Sequence, residues 1–258
     1  MTLDFEALAR RLDDARLLAH EVERLTLEAP ELTLEQAYRV MDAGVALREA
    51  RGERVVGLKM GLTSEAKRKQ MNLAAPIYGV LTDAMEVGEV FRMTGALHPK
   101  IEPEIAFHFA GGLRGRPGRA EVLAACSGVC AALEILDSRY RGFKYFSLPD
   151  VVADNASSSH FVLAGRWTPA AEVPLGEVEL VLSVDGAVRQ RAKGSAISGD
   201  PVLSVVQLCQ LLDARGLALA AGSVVLAGAA TAAEPLRARQ TVELRAGALP
   251  PVRVRVEP

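Results

Sequence analysis

"KIEPEIAF", residues 100–107, sets Glu102 and Glu104 one residue apart at the start of an apolar, strand-like run. Side chains alternate faces along a strand, so both carboxylates point to one side of whatever sheet contains them. Pro103 between them has no N–H to give to a ladder, so the stretch reads as an edge strand or a strand entrance. Two like charges on one face repel, which costs little in water. A solvated strand end and a shared bound cation are the two readings of this motif.

A third carboxylate bears on the choice. Glu134 lies in "CAALEILDSRY" among Ala131, Ala132, Leu133, Ile135 and Leu136. An ionised glutamate in such a run either faces solvent or meets a cation, because burying it bare is costly. Three carboxylates suit a hard divalent ion such as Mg²⁺, which takes oxygen ligands and keeps positions open for water or substrate. Lys59 is the matching oddity inside "VVGLKMGLT", residues 55–63. It either snorkels to the surface or faces a pocket as an anion ligand or proton carrier.

Around these motifs the order of elements is helices first, then mostly strands. Phe5, Leu8, Leu12, Ala15, Leu18, Val22 and Leu25 recur at helical spacing and predict one amphipathic N-terminal helix. Thr33 and Gln36 form a capping box for a second helix, which Gly52 ends. The pattern then predicts strands over 53–63, 103–110, 133–140, 160–165, 223–228, 241–246 and 252–258. Short helices are expected over 63–71 and from 120 on, and a hairpin over 178–190 turning at Asp185-Gly186. Asp200, Pro201 and Gly216 bracket the clearest helix. The one candidate boundary divides a helical region, 1–52, from a β-rich region, 53–258.

The bulk numbers exclude several classes. The 258 residues are 50% hydrophobic, enough for a full core. With 30 basic and 32 acidic residues and 5% aromatics, nothing marks a nucleic-acid or membrane surface. No G-x-G-x-x-G or Walker loop is present. Charges interrupt the N-terminus throughout, so it reads as neither signal peptide nor membrane span, and a cytoplasmic protein is expected. Cys126, Cys130 and Cys209 show no metal-ligand spacing and read as small buried hydrophobes. His20, His98, His108 and His160 read as structural.

Four blocks in consistent order carry a resemblance: "GLKMGLTSEAKRKQM", "HPKIEPEIAF", "CAALEILDSRYRGFKYFSLPDVVADNASSSHFVLAG" and "AGSVVLAGAATAAEPL". Together they resemble the fumarylacetoacetate hydrolase superfamily. Within it they resemble the 2-keto-4-pentenoate hydratase and 4-oxalocrotonate decarboxylase group, nearer its decarboxylase branch. Hydratases of the group usually carry an acid just before an aromatic-glycine pair, and here Ile77 precedes Tyr78-Gly79.

The resemblance implies an α+β fold, a β-rich roll or sandwich with a small helical N-terminal region. It implies Mg²⁺ or Mn²⁺ held by Glu102, Glu104 and Glu134, with Lys59 in the active site. The implied reaction is decarboxylation of 2-oxo-3-hexenedioate to 2-hydroxypenta-2,4-dienoate. Arg139, Arg141 and Lys144 are candidates for the substrate's far carboxylate, with Asp154, Asn155 and Ser157–Ser159 as a loop wall of the pocket and Thr231 as a substrate contact. A homo-oligomer and a complex with the cognate hydratase are expected. The rival functions are the hydratase itself, a carbon–carbon hydrolase, and a non-catalytic partner subunit.

Overall fold

Thr33 Oγ1 accepts from the Gln36 backbone N–H at 3.2 Å, and the Gln36 side chain accepts from Thr33 N at 2.9 Å, so the expected capping box starts helix α2, Leu34–Ala50. In the computed structural model, residues 3–63, 76–144 and 147–258 are described. The helix expected over 63–71 lies, from Ser64 on, outside them. Helix α1 spans Phe5–Leu17 and is capped by Asp4. It is shorter than the apolar stripe predicts. The chain turns at Ala19, φ 50°, so that Val22 can exchange backbone hydrogen bonds with Arg139 and Arg141. Val22 and Leu25 are still buried, but from a bridge and a short 3-10 turn rather than from one helix face.

Twelve strands follow among the described residues: β1 Val55–Gly61, β2 Ile77–Thr82, β3 Val90–Arg92, β4 Lys100–Phe109, β5 Cys126–Leu136, β6 Ser158–Leu163, β7 Glu179–Val184, β8 Ala187–Lys193, β9 Val224–Leu226, β10 Glu234–Pro235, β11 Thr241–Ala246 and β12 Leu249–Glu257. Helices α3 Arg119–Ala125, α4 Leu148–Ala153 and α5 Pro201–Ala214 are inserted between them. Asp200 caps α5 through Val202 N at 2.8 Å, and the β7–β8 hairpin turns on Asp185 and Gly186, both at positive φ. The short strands β3 and β10 and helix α4 are not expected, and two longer strands also differ from the sequence pattern. Strand β2 is absent from it, because all six of its residues are buried and it shows no alternation. Strand β5 starts at Cys126, well before the expected 133. Its small Ser, Gly, Cys and Ala residues read as helix, and pairing with β4 overrides them.

The strands form two sheets. One runs β2-β1-β9-β4-β5-β6, with β10 also paired to β4; the other runs β3-β12-β11-β7-β8. Ile101, Ile105, Phe107, Leu133 and Ile135 on one face of the first sheet share a core with Leu182, Leu244 and Val254 of the second, and with Leu12 and Met41 of α1 and α2. The helical region and the β-rich region therefore bury apolar surface against each other. The opposite face of the first sheet carries Glu102, Glu104 and Glu134.

Pro103 does not mark an edge. Strand β4 is central, with β5 on one side and β9 and β10 on the other. However, β9 pairs only with residues 106–108 and β10 only with 100–101. Pro103 falls in the gap between them. Its carbonyl accepts from Ala230 N at 3.1 Å on that side, so the missing N–H also points there and no β5 bond is lost.

Candidate active site

Glu102 faces Glu134 directly across the β4–β5 ladder, and Glu104 stands one pleat further along the same face. One ligand oxygen from each of the three can be chosen so that all lie within 4.8 Å of one another. Glu104 and Glu134 are fully buried and Glu102 partly so. Lys59 of β1, only 3% exposed, places Nζ 3.1 Å from Glu134 Oε1. In sheet order β1 is three strands from β5, a separation of about 14 Å in a flat sheet. The two side chains meet because the sheet curls toward this face.

Each buried carboxylate has one oxygen tied down and one left over. Glu134 Oε1 accepts from Ser158 Oγ at 2.9 Å as well as from Lys59. Glu104 Oε2 accepts from Gly228 N at 2.7 Å. Glu134 Oε2 and Glu104 Oε1 are buried with no hydrogen-bond partner. A buried, unpaired carboxylate oxygen is expensive, and two of them within one cluster call for a shared cation. Among the described residues, one ammonium, that of Lys59, contacts this trio of carboxylates, and the crowded acids suit a divalent ion with a preference for oxygen. The residues present fit such an ion.

The proton affinities follow from the same crowding. Burial, then the neighbouring Glu134 charge, hold the Glu104 carboxyl well above the usual carboxylate range; Lys59 and the Gly228 N–H oppose this and lose. Burial pushes Lys59 down, but the charges of Glu134, Glu102 and Glu104 together outweigh it, and its value is raised. Lys59 is therefore an ammonium, a hydrogen-bond and proton donor beside the carboxylates.

Local backbone geometry builds the rest. Gly228 sits at φ 107°, and a Cβ there would come within 2.5 Å of the Thr63 side chain. Only glycine turns its amide onto Glu104 while packing on Thr63. Asn155, Ala156 and Ser157 are three successive left-handed residues at φ 50°, 51° and 57°, each costing about 1–2 kcal/mol. The Asn155 side chain pins this turn to β2 by accepting from Val80 N at 2.7 Å and donating to Val80 O at 2.9 Å. Gly79 makes room, since a Cβ would approach Asn155 O to 2.7 Å. The turn delivers Ser158 to Glu134 and Ala156 to a cavity of about 100 Å³ that Lys59, Glu102, Ile77, Leu136 and Ala229 also line.

The structure brings Lys59, Glu102, Glu104 and Glu134 together with Ser158, and gives several of the other candidates different partners. Arg139 and Asp154 are buried in an ion pair with each other, and Arg139 Nη1 donates to Asp137 O at 2.6 Å, so the guanidinium is committed to the fold. Burial raises the Asp154 carboxyl to about 6 despite Arg139. Ser159 bonds His160 Nδ1 at 2.8 Å and lines a separate cavity of about 420 Å³. Its neighbour Ser158 is the serine on Glu134. Arg141 pairs with Glu23 at 2.6 Å, and Lys144 is exposed. Thr231 Oγ1 donates to Ala232 O, and Ala229 instead forms the cavity wall. Sequence reasoning missed Gly228, whose only signal is a glycine directly after a strand. It also missed the apolar wall of Leu136, Val151 and Ala156.

Residues 57–257 match the model of the fumarylacetoacetate (FAA) hydrolase C-terminal family. A 4-oxalocrotonate decarboxylase of Pseudomonas sp. strain CF600 is 41% identical over 243 residues, covering 93% of this chain and 91% of that protein. A 2-hydroxyhexa-2,4-dienoate hydratase of Comamonas testosteroni is 38% identical, covering 86% of each. A solved 4-oxalocrotonate decarboxylase from Pseudomonas putida G7, complexed with magnesium and adipate, superimposes with a TM-score of 0.95 at 38% identity over 99% of both chains.

Proposed function

We propose that this chain, which belongs to the fumarylacetoacetate hydrolase family, is a divalent-metal-dependent carboxy-lyase that converts 2-oxo-3-hexenedioate to 2-hydroxypenta-2,4-dienoate and CO₂. The carrying observation is the glutamate trio, with two partnerless oxygens and a buried lysine, beside a cavity with Ile77 in its wall. Glu102, Glu104 and Glu134 would hold Mg²⁺ or Mn²⁺. When bound, the ion supplies Lewis-acid polarisation of the 2-oxo group of an α-keto acid.

The chain's own groups do the rest. Ser158 and the Gly228 amide fix the orientation of Glu134 and Glu104. The C5–C6 bond breaks, its electron pair becomes the C4–C5 double bond, and the conjugated chain shifts charge to the C2 oxygen. Lys59, an ammonium, is placed to stabilise that oxygen or give it a proton at Nζ. Ile77, Leu136, Val151 and Ala156 give the cavity apolar walls that exclude water from the dienol. An acid at position 77 would help deliver water; isoleucine does not, which favours decarboxylation over hydration.

We also propose that residues 1–52 form a helical region packed on a catalytic region, 53–258, that the protein works in the cytoplasm as a homo-oligomer, and that it associates with the cognate hydratase. Handing over an unstable dienol supports that association. The test is product analysis on the purified protein with 2-oxo-3-hexenedioate and Mg²⁺, repeated with EDTA and with Glu102→Gln. Metal-dependent CO₂ release that the substitution abolishes is the expected result. No CO₂, with consumption of 2-hydroxypenta-2,4-dienoate in parallel, would identify a hydratase instead.

A further inference from the structure

Decarboxylation of a diacid needs a grip on the far carboxylate, and the basic residues of "SRYRGFK" do not supply one. Arg139 is bound to Asp154, Arg141 to Glu23, and Lys144 is exposed. Another cation stands on the carboxylate face. Lys100 precedes Glu102 by two residues in β4, so its side chain leaves the strand on the side of Glu102 and Glu104. Its partner across the ladder is Leu136, a wall of the cavity, as Glu134 is the partner of Glu102. Its ammonium lies 3.8 Å from the centroid of the Phe143 ring. Among the described residues no carboxylate is within ion-pair distance of it.

We infer that Lys100, backed by Phe143, is the subsite for the distal carboxylate of a dicarboxylic 2-oxo acid whose other end is held at the glutamate trio. Residues two apart in a strand are separated by about 7 Å, close to the length of an extended six-carbon chain. The ring face holds the ammonium without neutralising it. Lys100 is only partly buried, so its ion pair with substrate stays hydrated and weak. A weak grip suits the reaction, because a carboxylate that must leave cannot be held as tightly as one that stays. The subsite also selects diacids over the monoacids of the same chain length.

This inference rests on the decarboxylase reading, and the test separates the two. Calorimetry on the Mg²⁺-loaded protein compares 2-oxoadipate with 2-oxohexanoate, which differ only in the distal carboxylate. The wild type is expected to prefer 2-oxoadipate. Lys100→Met is expected to lose about 10- to 100-fold in 2-oxoadipate affinity. Its unchanged 2-oxohexanoate affinity shows that the variant is folded and the metal end intact. Lys100→Arg is expected to recover most of the loss. Equal binding of the two acids by the wild type, an unchanged preference in Lys100→Met, or an equal loss for both acids would overturn the assignment. CO₂ release by the wild type is scored separately: its absence defeats the decarboxylase reading and leaves the diacid preference as measured.

Discussion

Lys59 and Glu134 form a buried ion pair, Nζ to Oε1 at 3.1 Å, between strands that are not neighbours in the sheet. The pair is both a fastening of the curled sheet and the point where a cationic donor meets the candidate metal site. Lys59→Met keeps the length of the side chain and removes the charge. Removing one partner of a buried pair typically costs about 3–5 kcal/mol, so the metal-free variant should melt well below the wild type. Turnover should fall at least about 100-fold. Thermal melts with and without Mg²⁺, alongside kcat, check both. A variant with wild-type kcat would remove Lys59 from the chemistry.

Glu104→Gln should move stability and binding in opposite directions. The change removes a carboxyl whose ionisation burial and the Glu134 charge oppose, and leaves an oxygen to accept from Gly228 N. In EDTA the variant should be more stable than the wild type, by about 1–3 kcal/mol. The rise in Tm that Mg²⁺ gives the wild type should vanish, and activity with it. A variant that is destabilised in EDTA would contradict the charge argument.

Adjacent serines provide a paired comparison. Ser158→Ala strips a donor from Glu134 Oε1, and a loss of about 10- to 100-fold in metal affinity or turnover is expected. Ser159→Ala removes a hydrogen bond to His160 and should leave both within about twofold. Metal titration and kcat/KM on the two variants decide the matter, and equal effects would refute the assignment.

Gly228→Ala should be severe for a residue with no side chain. The new Cβ would need the Thr63 side chain to move from 2.5 Å, and φ 107° is unfavourable for alanine. Destabilisation of about 2–4 kcal/mol is expected, with weaker metal binding as the amide shifts off Glu104. Urea melts and Mg²⁺ titration measure the two effects.

His160 supplies the pH dependence outside the site. Burial, then the charges of Arg48 and Arg16, push its value down to about 4. A depressed histidine is neutral in the fold. Its stability contribution is complete above the unfolded value of about 6.5 and is lost as pH falls through about 4. Over that window the wild type should lose about 3 kcal/mol from this group. His160→Asn should flatten that part of the stability–pH curve, whatever its level at neutral pH. Urea melts at closely spaced pH steps read the slope.

What is legible in the sequence divides by the range of the physics. The capping box at Thr33, the cap and stop of α5 and the Asp185-Gly186 turn are set by neighbours in the chain, and stand as expected. The E-x-E pair and Glu134 are visible because carboxylates are out of place in apolar strands. The length of α1, the early start of β5 and the existence of β2 are not, because distant partners decide them. The same holds for the Ser158–Ser159 distinction. Three left-handed residues shift which serine of the run faces the sheet, and no periodicity records that shift. Arg139 misleads for a related reason: sequence shows a charge but not the buried acid that claims it.

The gap in the sheet beside Pro103 has one more consequence. Gly228 N lies outside the strand ladders, yet is fully enclosed and donates to a carboxylate rather than to a carbonyl. In hydrogen–deuterium exchange most loop amides trade their protons quickly. This one should be slow, and its lifetime should depend on what Glu104 is holding. A single backbone proton would then serve as a gauge of site loading, readable by NMR without substrate or turnover.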